Sequence, residues 1–173
     1  MNQIRTKPTS FLPLVEKKLS KQPGDADLIE AVRFLKAQKP VNSVQLSDGM
    51  SKACRDLVLD QGPSAGKEHN SSDGSSPGAR MKRYGTIKGA WAEGLAFGTM
   101  TGEEAIASLM IDPTYEVKLH RKALFNPSFG AVGVYTGPWG GGGATEFCID
   151  YARGFQDKNG QFYGSKKTST RRL

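Results

Sequence analysis

One short stretch, residues 119–134, constrains the fold more than any other part of the chain. It reads LHRKALFNPSFGAVGV. An amphipathic run at residues 122–125 is followed by Asn126-Pro127, and the residue before a proline is driven out of the α region. Small and β-branched residues follow at 129–134, a composition typical of a buried strand. The stretch therefore predicts a corner from a helix into a strand, with His120 at its mouth, and such corners often carry function.

Apolar periodicity and capping residues predict several further helices. Ser10 is expected to cap a first helix that runs to about residue 19. Residues 27–30 have the spacing of a capping box for a second helix. The clearest helix opens after Ser47, because residues 50, 53, 54, 57 and 58 form one apolar stripe. A capping box at residues 101–104 predicts another helix, which ends near Asp112.

Two strands are predicted beside the corner. Residues 91–97 alternate so that Glu93 shares a face with three apolar side chains, and a carboxylate there is costly unless it is paired or lines a wet pocket. The alternative is an irregular segment with Glu93 in solvent. The glycine-rich residues 136–143 predict a hairpin connection to a returning strand at 144–151. The predicted fold class is α/β in the α+β sense, a small and mainly antiparallel sheet covered by helices.

Length and charge narrow the classes of partner. A chain of 173 residues fits one domain, and its formal charge of +7 favours an acidic partner. Nucleic acid is not expected, because no RNA-recognition signature and no basic stripe with interleaved aromatics is present. No apolar window reaches the length of a membrane span. The basic residues are dense only near the C-terminus, at Lys166, Lys167, Arg171 and Arg172.

The cysteines and the N-terminus bear on the cell compartment. Cys54 and Cys148 sit in apolar patterns, which predicts buried free thiols. The N-terminus lacks the apolar core of a signal peptide. If Met1 is the native start, the prediction is an intracellular protein of the cytoplasm or a cilium. If Met1 replaces a removed signal peptide, the protein is secreted.

Four segments, in order, resemble the CAP superfamily, also called SCP-like, which includes plant pathogenesis-related and cysteine-rich secretory proteins. The compact bacterial and protist members are the most similar. Residues 2–13 resemble the opening helix of the protist forms. Residues 69–80, with His69, Ser-Asp-Gly and Arg80, resemble the "H…SDG…P..R" loop. WAEGLA at 91–96 resembles "GENIA", and residues 120–133 resemble "HR.NILNP.F..VG".

This resemblance implies an α–β–α sandwich. Residues 1–155 would form a single domain, with 156–173 as a polar, basic extension. It also implies a central cleft lined by two histidines and two acids, namely His69, Glu93, Asp112 and His120. Residues supporting that cleft would be Asp73, Arg80, Arg121 and Asn126. The chain departs from the family pattern at Leu109, where a Trp is usual, and at Leu119, where Gly is common, a change that can narrow or reorient the cleft.

The leading functional hypothesis is a non-enzymatic binding module. His69 and His120 would be the ligands of a divalent metal such as Zn²⁺, with the carboxylates behind them. The resemblance also implies a hydrophobic ligand, a sterol or lipid, and protein partners. The structural alternative is a buried polar network that joins two elements through hydrogen bonds.

Two other functions stay open. One is a structural subunit of a larger intracellular assembly, ciliary or microtubule-associated, in which the domain surface and the basic tail contact an acidic surface. The other, ranked lowest, is a metal-dependent hydrolase. Two His and two acids resemble acid–base machinery, but the sequence has no recognisable Ser or Cys nucleophile motif and no HExxH.

Overall fold

The structure, a computed structural model, describes residues 1–113 and 116–164. Its helices are α1 (Asn2–Thr6), α2 (Leu12–Lys21), α3 (Ala26–Ala37), α4 (Asp48–Gln61), α5 (Pro77–Lys82), α6 (Gly102–Ile111) and α7 (Leu119–Leu124). Short 3-10 turns span Pro8–Phe11 and Gly62–Ser64. The strands are β1 (Gln45–Leu46), β2 (Gly85–Gly98), β3 (Ala131–Pro138), β4 (Thr145–Asp157) and β5 (Phe162–Gly164).

The sheet has the strand order β1-β3-β4-β2, and β5 pairs with β4. β1 is parallel to β3, and the other pairings are antiparallel. β4 is the central strand: it aligns Asp150 with both Glu93 of β2 and Gly133 of β3. β2 lies at an edge of the sheet. β5 sits within the predicted C-terminal extension and adds a strand, since Gly154 pairs with Gly164.

Helices cover both faces of the sheet. α4 packs so closely on β3 that a Cβ on Gly133 would lie 2.2 Å from the carbonyl carbon of Met50. The largest hydrophobic cluster joins the opposite face to α2, α3, α6 and α7 through residues such as Leu35, Met110 and Leu124. Glycine on β3 is therefore required by packing, because any side chain there would collide with the α4 backbone. The arrangement confirms the predicted α+β class with an α–β–α layering.

Capping predictions were right at two helices and wrong at two. Ser47 caps α4 by accepting from Met50 N, and Thr101 forms the predicted capping box of α6. Ser10 does not cap α2: it lies inside the first 3-10 turn, and its Oγ is buried with no partner in the described part of the chain. α3 begins earlier than predicted, because Asp25 accepts from Leu28 N at 2.9 Å.

Two further predictions concern the surface and the termini. No helix in the described ranges combines the length and apolarity that crossing a bilayer requires. Both cysteines are buried and free, as predicted. The predicted contact residues of the basic tail, Lys166, Lys167, Arg171 and Arg172, lie outside the described residues.

Candidate functional site

Glu93 is the carboxylate that the alternation of β2 turns onto an apolar face. Its side chain is 1% exposed, and both oxygens are paired. Oε1 lies 2.8 Å from Nδ1 of His69, and Oε2 lies 2.5 Å from Nη2 of Arg80. The shared face of β2 is confirmed, since Leu95 packs with Cys54 and Cys148 beneath α4. Pairing with a guanidinium offsets the cost of burying the carboxylate.

Arg80 orders the loop that carries His69. Its side chain is fully buried, and Nη1 donates to the carbonyl of His69 at 2.8 Å and to the carbonyl of Ser75 at 3.0 Å. The hydroxyl of Ser71 accepts at 3.4 Å. One guanidinium thus ties both ends of the loop to the start of α5 and to β2. This fixes the backbone of His69 while its side chain remains 48% exposed.

Asp73 stabilises the same loop through contacts with Ser75 and Arg83. Its Oδ1 accepts from Ser75 N at 2.8 Å, and its Oδ2 pairs with Nη2 of Arg83 at 3.0 Å. The hydrogen bonds from Ser75, and then the Arg83 charge, hold the pKa of the Asp73 carboxyl below its usual range. Asp73 therefore acts on loop geometry rather than as a wall of the cleft.

Asp112 and His120 form the second acid–histidine pair. Asp112 has a left-handed backbone with φ 52° at the end of α6, directly before Pro113, and is 2% exposed. Its Oδ1 lies 2.9 Å from Nδ1 of His120, and its Oδ2 accepts from His120 N at 2.9 Å. The carboxylate thus orients the imidazole ring and satisfies a backbone donor at the start of α7.

Arg121 and Asn126 anchor the helix-to-strand corner at residues 119–134. Arg121 makes two 2.6 Å contacts with the carboxylate of Glu30 on α3, and its Nε donates to Met110 O at 2.5 Å. Asn126 Oδ1 accepts from Ser128 N at 2.9 Å, which shapes the turn into β3. Both residues hold α7 and the corner in position, and the backbone N of Arg121 also donates to Asp112 Oδ2 at 3.4 Å.

Arg5 is a buried functional support that sequence reasoning missed. Its guanidinium is fully buried and donates to the carbonyls of Leu124, Asn126 and Phe129 on the far side of the corner. Its Nε donates to the carbonyl of Asn42 at 3.0 Å. No local pattern identifies such a residue, because its acceptors at the corner are backbone groups more than a hundred residues away.

The two acid–histidine pairs meet at one point of β2. A Cβ built on Gly94 would lie 3.7 Å from Cδ2 of His120, and Gly94 directly follows Glu93. Glu93 and Gly94 are successive residues of the edge strand, so the His69–Glu93 pair and the Asp112–His120 pair contact neighbouring positions of β2. In the described part of the chain, neither histidine belongs to a set of three ligand atoms within 4.8 Å of one another.

A row of buried polar side chains lies between β4 and α4, and sequence reasoning did not predict it. Glu146, Cys148 and Asp150 alternate along β4, and all three are fully buried. Burial raises the pKa of Asp150 well above its usual range, with the nearby Glu93 carboxylate adding to the effect. Burial also raises the pKa of Cys54, on α4, to about 12. The spacing of Glu146, Cys148 and Asp150 at every second position was the sequence signal that could have identified this row.

An apolar pocket of about 530 Å³ opens on the opposite face of the sheet. It lies between the start of α6 and strands β3 and β4. Its walls include Ala105, Ile106, Val134, Phe147 and Ile149. The pocket contains none of the four acid and histidine residues, so the apolar cavity and the two-histidine site are separate places on the fold.

The layered fold and the ordered motifs define the class of protein. The family model described as Cysteine-rich secretory protein family, CAP, matches residues 1–151, so the chain belongs to the CAP family. A solved structure of an outer surface protein from Borrelia burgdorferi is similar in fold. It has a TM-score of 0.54 and 15% identity over 86% of this chain and 93% of that one.

A second solved structure is less similar. It is a 1.5 Angstrom crystal structure of an extracellular protein containing a SCP domain from Bacillus anthracis str. Ames. Its TM-score is 0.47, with 17% identity over 73% of this chain and 37% of that one. No curated protein matches the chain.

Proposed function

We propose that the chain is a non-enzymatic binding module of the CAP family that takes an apolar ligand in the pocket between α6 and strands β3 and β4. The observation that carries the proposal is the pocket itself, whose volume of about 530 Å³ lies in the range of small-molecule sites. Aliphatic and aromatic side chains form most of its wall. A sterol or acyl chain is the ligand class that suits such a lining, because binding removes apolar surface from water.

The acids of the two-histidine site support a non-enzymatic role. Glu93 is committed to Arg80 and His69, and Asp112 is committed to the backbone and ring of His120. A general acid or base must instead reach the reacting group of a substrate. The thiol of Cys54 is buried with a pKa raised to about 12, which leaves it protonated and unreactive at neutral pH.

The test uses two glycines that both accept a side chain. A Cβ on Gly102 or on Gly141 meets no atom within 4 Å, and only Gly102 lines the pocket. Gly102→Phe should therefore fill the pocket and no longer bind the fluorescent fatty acid cis-parinaric acid, whereas Gly141→Phe should bind it like the wild type. Equal binding by both variants, or no saturable binding by the wild type, would refute the pocket as the ligand site.

A second candidate function, metal binding at the two histidines, is favoured by a specific observation. Nδ1 of each ring contacts a buried carboxylate, at 2.8 Å for His69 and 2.9 Å for His120. When a carboxylate accepts a hydrogen bond from Nδ1–H, the lone pair of the imidazole ring is on Nε2. Many metal-ligating histidines have this tautomer and this carboxylate partner. Zn²⁺ with these two residues as ligands is therefore the ion to test.

Zinc titration of the wild type should show a saturable site that is lost in His69→Ala and in His120→Ala. Binding to the native state should also raise the melting temperature with zinc concentration. Unchanged thermal stability with zinc, together with no bound metal by elemental analysis, would exclude this candidate without affecting the apolar pocket. The assembly-subunit alternative depends on the basic tail beyond the described residues and remains a prediction.

A further inference from the structure

We propose a metal site that the two histidines do not share, formed by Cys54, Cys148 and Asp150 between α4 and β4. One ligand atom from each residue lies within 4.8 Å of the other two, and all three side chains are buried. Cys54 comes from the apolar stripe of the helix, and the other two alternate on the central strand. The ion would be a divalent cation of the thiolate-preferring class, such as Zn²⁺.

Unpaired polar atoms give independent support. Oδ1 and Oδ2 of Asp150 are both buried and have no hydrogen-bond partner within the described residues. An orphaned buried carboxyl group costs free energy that a ligated cation would recover. Glu146, four residues away on the same face of β4, differs in this respect because its Oε1 accepts from Gln61 Nε2 at 2.7 Å. The carboxyl group with both oxygens unsatisfied is therefore the one that lies beside the two thiols.

The donor set and its spacing fit a tetrahedral ion. Two sulfurs and a carboxylate oxygen are typical ligands of zinc. Bond lengths of ~2.0–2.3 Å imply ligand atoms ~3.3–3.8 Å apart in a tetrahedral site. The three ligand atoms lie within 4.8 Å of one another. Each distance between them would therefore have to shorten by at most about 1.5 Å on metal binding, which small rotations of the side chains allow.

Glu93 lies beside the three ligands but stays paired with Arg80 and His69, so it acts as a neighbouring charge rather than as a ligand. Its Oε2 lies 3.5 Å from the sulfur of Cys148, and it pairs with Asp150 across the β2–β4 register. Arg80 contacts the same oxygen, so its positive charge lies beside the site. An ion with two positive charges, together with this guanidinium, would leave one net negative charge among the two thiolates and two carboxylates.

The experiment measures thiolate ligation directly. The reduced full-length chain is titrated with Co²⁺, both in its native state and during refolding from denaturant because the site is buried. We expect thiolate-to-cobalt charge-transfer absorption with one Co²⁺ per chain, displaced by Zn²⁺. The band should be lost in Cys54→Ser and Cys148→Ser and weakened in Asp150→Asn. It should persist in Glu146→Gln and in His69→Ala.

The outcomes separate this site from the histidine site and the pocket. Absence of a charge-transfer band in the folded wild type, which needs no variant to interpret, would overturn the proposal. So would a band retained in Cys148→Ser, or a Cys54–Cys148 disulfide in a chain that takes up no Co²⁺ after reduction. Loss of metal in His69→Ala alone, with no thiolate band, would support the histidine candidate and overturn this one.

Discussion

Arg80 is the residue at which one substitution should have the largest effect on stability. Its guanidinium is fully buried and neutralises Glu93, whose side chain is 1% exposed. Arg80→Met keeps most of the side-chain volume but leaves that carboxylate without its cation. Removing one partner of a buried ion pair costs about 3–5 kcal/mol. With a urea m value of about 2 kcal/mol/M, the unfolding midpoint should fall by roughly 2 M.

The assay is equilibrium urea unfolding followed by far-ultraviolet circular dichroism. Glu93→Leu should also destabilise, because it leaves the guanidinium buried without its counter-charge. The double variant Arg80→Met/Glu93→Leu should lose less than the sum of the two single losses, since neither charge is then left alone. The expected coupling is about 2–3 kcal/mol, at the upper end for residues in contact.

Arg83→Met is the matched control. The side chain of Arg83 is 41% exposed and pairs with Asp56, which is 20% exposed, and with Asp73, which is 59% exposed. Its removal should leave the urea midpoint nearly unchanged, because exposed pairs are screened by water and salt. If Arg80→Met shifted the midpoint no more than Arg83→Met, or if the two single losses simply added, Arg80 would not be the buried counter-charge of Glu93.

Two further predictions test the packing between α4 and the sheet. Gly133→Ala should lower the unfolding free energy by about 1–3 kcal/mol or more, because the new Cβ would lie 2.2 Å from Met50, whereas Gly141→Ala should not destabilise the fold since its Cβ meets no atom within 4 Å. Similar urea curves for the two variants would contradict the packing. Cys54 and Cys148 should resist an aromatic disulfide reagent in the native state at neutral pH and react fully in denaturant, because burial raises the pKa of both thiols. Rapid native reaction of both would refute their burial.

Local periodicity predicted the elements that are long and one-sided. The apolar stripe of α4, the capping box of α6 and the alternation of β2 each involve residues within one element, so the sequence carries the whole signal. β1 was not predicted. It contains two residues and pairs only at Gln45↔Ala131 and Leu46↔Val132. Two residues cannot display a period, and their pairing depends on where β3 lies in three dimensions.

The site shows the same division between local and distant information. His69, Glu93, Asp112 and His120 were named through the family resemblance, and the structure brings them to β2 as two pairs. The residues that support them through long-range contacts could not be predicted from the sequence. Arg121 contacts Glu30 across 91 positions, and Arg5 reaches backbone carbonyls across more than a hundred. An arginine that satisfies distant backbone groups needs no partner motif, so no sequence pattern identifies it.

Glu93 links the cleft to the buried row, and this follows from β-sheet register rather than from any motif. One oxygen contacts His69 at the surface, while the other contacts Arg80 and lies 3.5 Å from Cys148 in the interior. A change of charge at the buried row therefore acts on the same carboxylate that orients the exposed imidazole. In a medium of low dielectric, such an effect is weakly screened. The sequence presents Asp150 as an ordinary strand residue. A substitution there should nevertheless change the orientation of the His69 imidazole, although no contact joins the two residues.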